Sequence, residues 1–422
     1  MNISVLSLGW EYPPNIEGGL GIAYLGLNKA LSKKISLRGI VPGLASAGGR
    51  GRSVEVRAED SFEVHPVSVQ HPIGSYANGS SSYLHIIERA EVVLEEIAEG
   101  PIENNPLASE FEAFFSDASW QKNPIFKSIY QYTEKTLSEV KGLGFHVIHA
   151  HDWMTFLAAF ELRRIYNVPV VLHIHSLEFD RNESPWDSWI FEFEKKALEH
   201  ADAVISVSAY TKKILVDEYE IDSTKISVVH NGLEPVTPFR TPKVFPEKLI
   251  LFLGRLTYQK GPELFIEMAK EILKSHQDVR FVIGGKGDQL PEIVNYVAEA
   301  RIGDRVHFTG HLSRTKVYEL LSMADVFVMP SVSEPFGLVA LEAAQFGVPC
   351  IISKNSGLAE IFPTSSTADP GEVDQWVGAI MGLLQFPEWR EEQVKEVQER
   401  IAPLSWENAA DKTLQVYDKV LG

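Results

Sequence analysis

The chain has a single cysteine, Cys350, among 422 residues, so no intrachain disulfide can form. Cys350 follows Gly347-Val348-Pro349 at the head of an apolar run and reads as a packing residue. Basic residues are also in short supply. The 39 Lys and Arg face 57 Asp and Glu, a net charge of −18. That balance argues against a general nucleic-acid binder and against an anionic membrane surface as partner. An anionic ligand must then be held by a few local cations. No apolar run approaches the roughly 20 residues that span a bilayer. The start, Met1-Asn2-Ile3-Ser4, has no basic region and no cleavage site, so the expectation is a cytoplasmic protein without a membrane span. No Asp-x-Asp pair occurs in the chain, which removes one common means of holding a divalent metal. Internal repeats and low-complexity tracts are absent as well.

What is present is an alternation of short apolar runs and helical patterns, in a chain that is 45% hydrophobic and 23% charged. Such a composition is that of a soluble globular protein, and the length suggests two or three domains. Residues 3–8, 145–150, 169–174, 203–207 and 225–230 read as one series of buried strands. A second series covers 249–253, 280–283, 305–309, 325–329 and 349–352. This rhythm predicts parallel sheets covered on both faces. Between the series, residues 234–242 carry three prolines and read as a linker. The expected fold is therefore α/β, with two doubly wound Rossmann-like domains at 1–235 and 236–405 facing a cleft. Ligands of such sheets bind beyond the carboxyl ends of the strands. Residues 406–422 form an amphipathic helix that suits either domain, with packing back on the first as one expectation. Residues 76–142 depart from the rhythm and read as a helical insertion, with helices near 84–98 and 124–140.

The most informative segment is Ser333-Glu334-Pro335-Phe336-Gly337-Leu338-Val339-Ala340-Leu341-Glu342-Ala343. Glu334 falls in a loop past a buried strand, and a helix begins near Leu338. One carboxylate precedes that helix and Glu342 lies one turn inside it. The backbone N–H groups of Phe336, Gly337 and Leu338 point into the same space. A ligand with hydroxyls and a negative group suits this arrangement. Arg255 and Lys260, in Gly254-Arg255-Leu256-Thr257-Tyr258-Gln259-Lys260-Gly261, straddle another strand-tip turn. They read either as a solvated pair or as cations that neutralise a diphosphate leaving group. The loop Gly284-Gly285-Lys286-Gly287-Asp288 is a plain turn or borders a nucleotide.

In the first half, Gly18-Gly19-Leu20-Gly21 precedes a helix. It is a loop turn or a place where backbone approaches a phosphate or sugar. A dinucleotide-dehydrogenase site is rejected. Tyr24 stands where a third glycine is required, and residues 37–51 hold no acid for a ribose. His149 and His151 end one strand, and His173 and His175 end or follow the next. A zinc site is one reading. The other gives His151 a sugar hydroxyl and leaves His149 and His173 in the core or behind the site.

These residues resemble the retaining glycosyltransferases of the two-Rossmann-domain (GT-B) type, in particular the glycogen and starch synthases and related transferases. The resemblance spans nearly the whole chain. It adds His149-Ala150-His151-Asp152-Trp153, Ala201-Asp202-Ala203-Val204-Ile205-Ser206-Val207-Ser208 and His230-Asn231-Gly232 to the segments above. It implies that Arg255 and Lys260 bind the donor diphosphate, Glu342 the nucleotide ribose, and Glu334 the transferred sugar. Backbone at Phe336, Gly337 and Leu338 would hold sugar hydroxyls or phosphate. Gly18 and Gly19 would approach the diphosphate, and His151 the sugar near the reacting carbon. Transfer would retain configuration, with no cofactor and no metal, using ADP-glucose or UDP-glucose as co-substrate and a glucan or other glycan as acceptor. Two departures stand out. Ile16 occupies a lysine position of the enzymes that use ADP-glucose, and Ser356-Gly357-Leu358 lacks one glycine of a sugar loop. Alternatives are the same chemistry on a small sugar, lipid or sugar phosphate, and an inactive transferase fold that binds glycan. Trp186 and Trp189 either stack on an acceptor or anchor the following helix. Oligomeric state is not readable.

Overall fold

The computed structural model describes residues 3–13, 18–44, 63–69, 124–243 and 245–422. They form two lobes, each built on one parallel sheet. The N-terminal lobe contains β1 (Ser4–Leu8), β2 (Ser36–Leu44), β3 (Glu63–Val69), β4 (Val147–His151), β5 (Val170–Ile174), β6 (Ala203–Ser206) and β7 (Ile226–Val228). Their order is β3-β2-β1-β4-β5-β6-β7. The C-terminal lobe contains β8 (Lys248–Leu253), β9 (Val279–Gly284), β10 (Val306–Gly310), β11 (Val326–Met329), β12 (Cys350–Ser353) and β13 (Thr367–Ala368), in the order β10-β9-β8-β11-β12-β13. This is the α/β double sheet that the sequence predicts.

Helices cover both faces of each sheet. In the first lobe they are α1 (Gly19–Ser32), α2 (Pro124–Glu139), α3 (Phe156–Tyr166), the short α4 (Glu178–Arg181), α5 (Trp189–His200) and α6 (Ala209–Asp217). In the second they are α7 (Pro262–Leu273), α8 (Leu290–Glu299), α9 (Arg314–Met323), α10 (Leu338–Gln345), α11 (Val373–Gln385) and α12 (Pro387–Ile401), followed by α13 (Trp406–Leu421). Strand alternation divides the core into layers. Leu249, Leu251 and Leu253 of β8 pack with Leu341 and Phe346 on one face, whereas Ile250 and Phe252 pack with Phe265 and Trp376 on the other. Burying each such side chain contributes roughly 1.5–3 kcal/mol.

Strands β2 and β3 have no counterpart in the sequence reading. Gly39, Pro42 and Gly43 interrupt one, and Pro66 interrupts the other, so neither shows a continuous apolar run. Residues 124–139, within the segment read as a helical insertion, form a helix as expected there. That helix, α2, lies against α3 and β3, with Tyr132 edge-on to Trp10. The remainder of the 76–142 segment, up to residue 123, lies outside the described residues. Helix α13 packs on α1 of the N-terminal lobe. Trp406 fills space that Gly26 and Gly232 leave open, since a Cβ on either would come within 2.2 Å of it. Among the described residues no helix is long and apolar enough to cross a membrane.

The strand order reverses between β1 and β4 in one sheet and between β8 and β11 in the other. Crevices beyond the carboxyl ends of strands at such reversals are where open α/β sheets bind ligands. The loops after β4, β8 and β11 carry the residues that the sequence singles out.

Candidate active site

Backbone geometry after β8 delivers a cation to the loop after β11. The chain turns through Tyr258–Lys260 into Gly261, whose φ is 64°. A Cβ on Gly261 would lie 2.2 Å from the carbonyl oxygen of Pro330, so this approach requires glycine. The Val332 N–H donates to the Gln259 carbonyl at 2.9 Å, locking the two loops together. As a result Lys260 Nζ lies 2.6 Å from Glu334 Oε2, and Ser331 Oγ donates to the same oxygen at 3.2 Å. Lys260 therefore meets an acid, where the sequence reading gives it solvent or a diphosphate. Glu334 is 7% exposed. Its backbone is pinned by the Glu334 N–H to Asn355 at 2.8 Å and by the Gly357 N–H to its carbonyl at 2.9 Å. Arg255 opens the same turn. Glycines 285 and 287 serve backbone packing, because a Cβ there would lie 1.8 Å from the Gly254 oxygen and 2.1 Å from the Leu256 oxygen. That accounts for the glycine-rich loop without a nucleotide.

Helix α10 begins at Leu338 behind Gly337, whose φ of 108° admits glycine almost alone. Its first turn presents backbone N–H groups that have no intrahelical acceptor. Phe336 is buried and stacks on His230 at 5.8 Å. Ser356 donates to the Phe336 carbonyl at 3.2 Å and accepts from the Leu358 N–H at 3.2 Å. It ties the loop after β12 to the loop before α10. Glu342 is 8% exposed and lies 3.1 Å from Arg314 on α9. Burial raises its pKa and Arg314 partly offsets the rise. Arg314 went unnoticed in the sequence because it stands on a separate helix with no motif around it. A Gly337→Ala substitution should destabilise the fold by about 1–3 kcal/mol. The new Cβ would lie 2.9 Å from Met329 Cε. A denaturant midpoint equal to wild type would contradict this.

In the N-terminal lobe, His149, His151, His173 and His175 are all buried. His149 and His151 alternate onto one face of β4, and β5 brings His173 level with His151. His151 Nδ1 is 2.9 Å from His175 Nε2, and His173 Nδ1 is 3.3 Å from His149 Nε2. His149 Nδ1 reaches the Tyr417 hydroxyl of α13 at 2.6 Å. Burial holds all four imidazoles neutral, His149 and His175 at about 3 and the other two well below 6.5. One ring nitrogen from each of His149, His151 and His173 lies within 4.8 Å of the others. Both nitrogens of His149 already have partners, so a zinc ion there would have to break a bond to Tyr417 or His173. The arrangement satisfies itself as a ladder. His151 is not the open strand-tip group that the sequence suggests. It lies under the Tyr24 ring at 4.9 Å, fully buried, and its Nε2 has no partner.

Asp152 follows with φ 59°, a strained conformation for a side-chain-bearing residue. Its Oδ1 accepts from the His175 N–H at 2.7 Å and the Ser176 N–H at 3.3 Å, clamping the tip of β5. Burial lifts its carboxyl to about 7 against the pull of those bonds and of Arg181.

Gly18 and Gly19 enter α1 beside Glu11, a buried acid absent from the sequence reading. Its Oε2 accepts from the Gly18 and Gly21 N–H groups, both at 3.2 Å. Gly18 is thus occupied by a protein carboxylate. Gly19 faces across the cleft, where a Cβ would stand 3.7 Å from Leu338 of α10. Other contacts close the lobes near Glu334. Ser333 Oγ donates to Asp180 at 2.5 Å and meets the Tyr210 hydroxyl at 3.0 Å, while Ser208 Oγ donates to the Pro335 carbonyl at 2.7 Å. The position of Ile16 lies outside the described residues.

Comparison with known proteins agrees with this geometry. Residues 236–400 match the family described as glycosyl transferases group 1, and residues 105–236 match glycosyltransferase family 4. A glycogen synthase of Mycobacterium tuberculosis is 27% identical, covering 98% of this chain and 94% of that protein. An alpha-maltose-1-phosphate synthase of Mycolicibacterium smegmatis is 31% identical, over 65% of this chain and 79% of that one. Among solved structures, the sucrose-phosphate synthase of Thermosynechococcus elongatus superposes with a TM-score of 0.72 at 20% identity, covering 99% and 98% of the two chains. The chain belongs to the group 1 glycosyltransferases of GT-B fold, enzymes that draw on nucleotide sugars.

Proposed function

We propose that this protein is a retaining glucosyltransferase that moves glucose from a nucleotide diphosphate sugar to an α-glucan. The observation that carries the reading is the convergence of Lys260 and Glu334 from two loops at one sheet reversal, beside Leu338 and facing Gly19 of the other lobe. Full-length similarity to a protein named glycogen synthase supports the acceptor class.

In this reading Arg255 and Lys260 bind the diphosphate, and the N–H groups after Gly337 hold phosphate or sugar oxygens. Glu342 accepts from ribose hydroxyls, its second role beside Arg314. The bond from the anomeric carbon to the diphosphate breaks and its electron pair leaves with the phosphate. Positive charge builds on the sugar, where the Glu334 carboxylate steadies it, and the cations meet the charge on the leaving group. An acceptor hydroxyl attacks from the same face and passes its proton to a leaving-group oxygen. His151, buried under the Tyr24 ring and bonded to His175, supports the wall of the site behind that carbon. Two cations supply the charge compensation, so the scheme calls for no metal. The same machinery acting on a phosphorylated acceptor is the second reading, favoured by the 31% identity to an alpha-maltose-1-phosphate synthase.

The test is to incubate the protein with ADP-glucose, UDP-glucose and GDP-mannose, with and without glycogen, while following nucleotide release and polymer growth. Glycogen-dependent release from one glucose donor, insensitive to EDTA, is expected. Binding of no nucleotide sugar, or release that never depends on an acceptor, would refute the assignment.

A further inference from the structure

An aromatic surface borders the reaction centre, and neither the fold nor the chemistry above uses it. Trp186 is 56% exposed in the turn Pro185–Asp187, and it packs edge-on against Phe179 at 5.8 Å. Phe179 sits on α4 next to Asp180, whose carboxylate holds Ser333, the neighbour of Glu334. The turn Tyr258–Lys260 of the other lobe lies against α4. Tyr258, 37% exposed, is therefore only two residues from the lysine that grips Glu334. An indole and a phenol thus flank one edge of the cleft, one from each lobe. Core anchoring falls to Trp189, which is half-buried edge-on to Trp153 at 5.5 Å, and so leaves Trp186 unexplained.

The charge immediately around Trp186 is negative. Glu183 and Asp187 are exposed on either side of Trp186, and Glu263 is exposed on the C-terminal lobe. Glu183 is close enough to add to the burial that raises the Tyr258 phenol, and it also acts on Glu263. Arg181 is the cation of residues 175–189, and it is buried against Glu178 and Glu194 at 3.4 and 2.9 Å. A phosphate arriving at Trp186 meets Glu183 and Asp187, and the nearby cations Arg255 and Lys260 are engaged by the donor diphosphate in the reading above. A neutral pyranose presents C–H groups to an aromatic face and hydroxyls to carboxylates, and both are on offer.

We infer that the acceptor is an uncharged glycan chain whose rings stack on Trp186 and pass beneath Tyr258, and that sugar phosphates are excluded from this edge by charge. The inference rests on the transferase reading above, and it decides between the two acceptor classes left open there.

The experiment measures initial rates with maltoheptaose and with glucose 1-phosphate as acceptors, and donor Kd by calorimetry, for wild type, Trp186→Ala and Trp186→Phe. Maltoheptaose should be used and glucose 1-phosphate should not. Trp186→Ala should raise the maltoheptaose KM roughly tenfold, the loss of one stacking contact. Trp186→Phe should restore most of it, and donor Kd should stay within twofold throughout. An unchanged KM in Trp186→Ala, or preferred transfer to glucose 1-phosphate, would overturn the platform while donor binding still upheld the transferase. Absence of donor binding in the wild type would remove both.

Discussion

Glu334→Gln should lower kcat by about 10²–10³-fold with little change in donor affinity. The amide keeps the shape of the carboxylate but not its charge, and the charge matters most when the sugar carbon becomes positive. Lys260→Ala should behave differently. Glu334 is 7% exposed and Lys260 Nζ is its charged partner at 2.6 Å, so truncation leaves a carboxylate with Ser331 alone. An uncompensated buried charge costs on the order of 2 kcal/mol at such a partly screened site. Stability should therefore fall along with turnover. The double variant Lys260→Ala, Glu334→Gln should regain much of that stability but none of the activity. This non-additive pattern, read from denaturant midpoints and steady-state rates together, separates a catalytic pair from a structural one. If Glu334→Gln retains wild-type kcat, the carboxylate has no part in the chemistry.

Stability should collapse in acid because of the histidine ladder. His149 and His175 titrate at about 3 in the folded chain, and His151 and His173 also lie well below 6.5. Below pH 6.5 the unfolded chain therefore binds protons that the folded chain refuses. The stability these groups provide is complete above pH 6.5 and is lost as pH falls toward their folded values. For His149 and His175 the loss approaches about 1.4 kcal/mol per pH unit in that window. Asp152, lifted to about 7, and Glu194, lifted to about 8, both chiefly by burial, work in the opposite sense. They offset part of the loss between about pH 4 and those values and cease to do so below it. The clean measurement compares wild type with His173→Gln, a change at a side chain that hydrogen-bonds His149 through Nδ1 and whose Nε2 has no partner. The stability advantage of wild type should shrink as pH falls below 6.5. Parallel pH curves for the two proteins would show that His173 is not held neutral by the fold.

The ladder also ties the last helix to the candidate site. Tyr417 of α13 anchors His149, which meets His173, which stacks on His151 at 5.1 Å. A helix near the end of the chain thus supports the floor of the N-terminal half of the cleft, although it follows the C-terminal lobe in sequence.

Local patterns alone determined much of this protein. Apolar runs of four to six residues bounded by turn residues marked most of the parallel strands, because a strand buried on both faces needs no alternation. Glycines and charged residues just past those runs marked the loops, because strand tips are where open sheets bind ligands. Strands β2 and β3 escaped because Pro42 and Pro66 break the apolar signal, and pairing energy from neighbouring strands outweighed that local preference. Only the tertiary structure decided which partner each group meets. Lys260 reaches Glu334 across 74 residues, Asp180 reaches Ser333 across 153, and His149 reaches Tyr417 across 268. Periodicity carries no information over such separations. These contacts exist because each sheet reverses its strand order beside the cleft and because α13 returns to the first lobe, and those are consequences of packing two cores, not of any one segment.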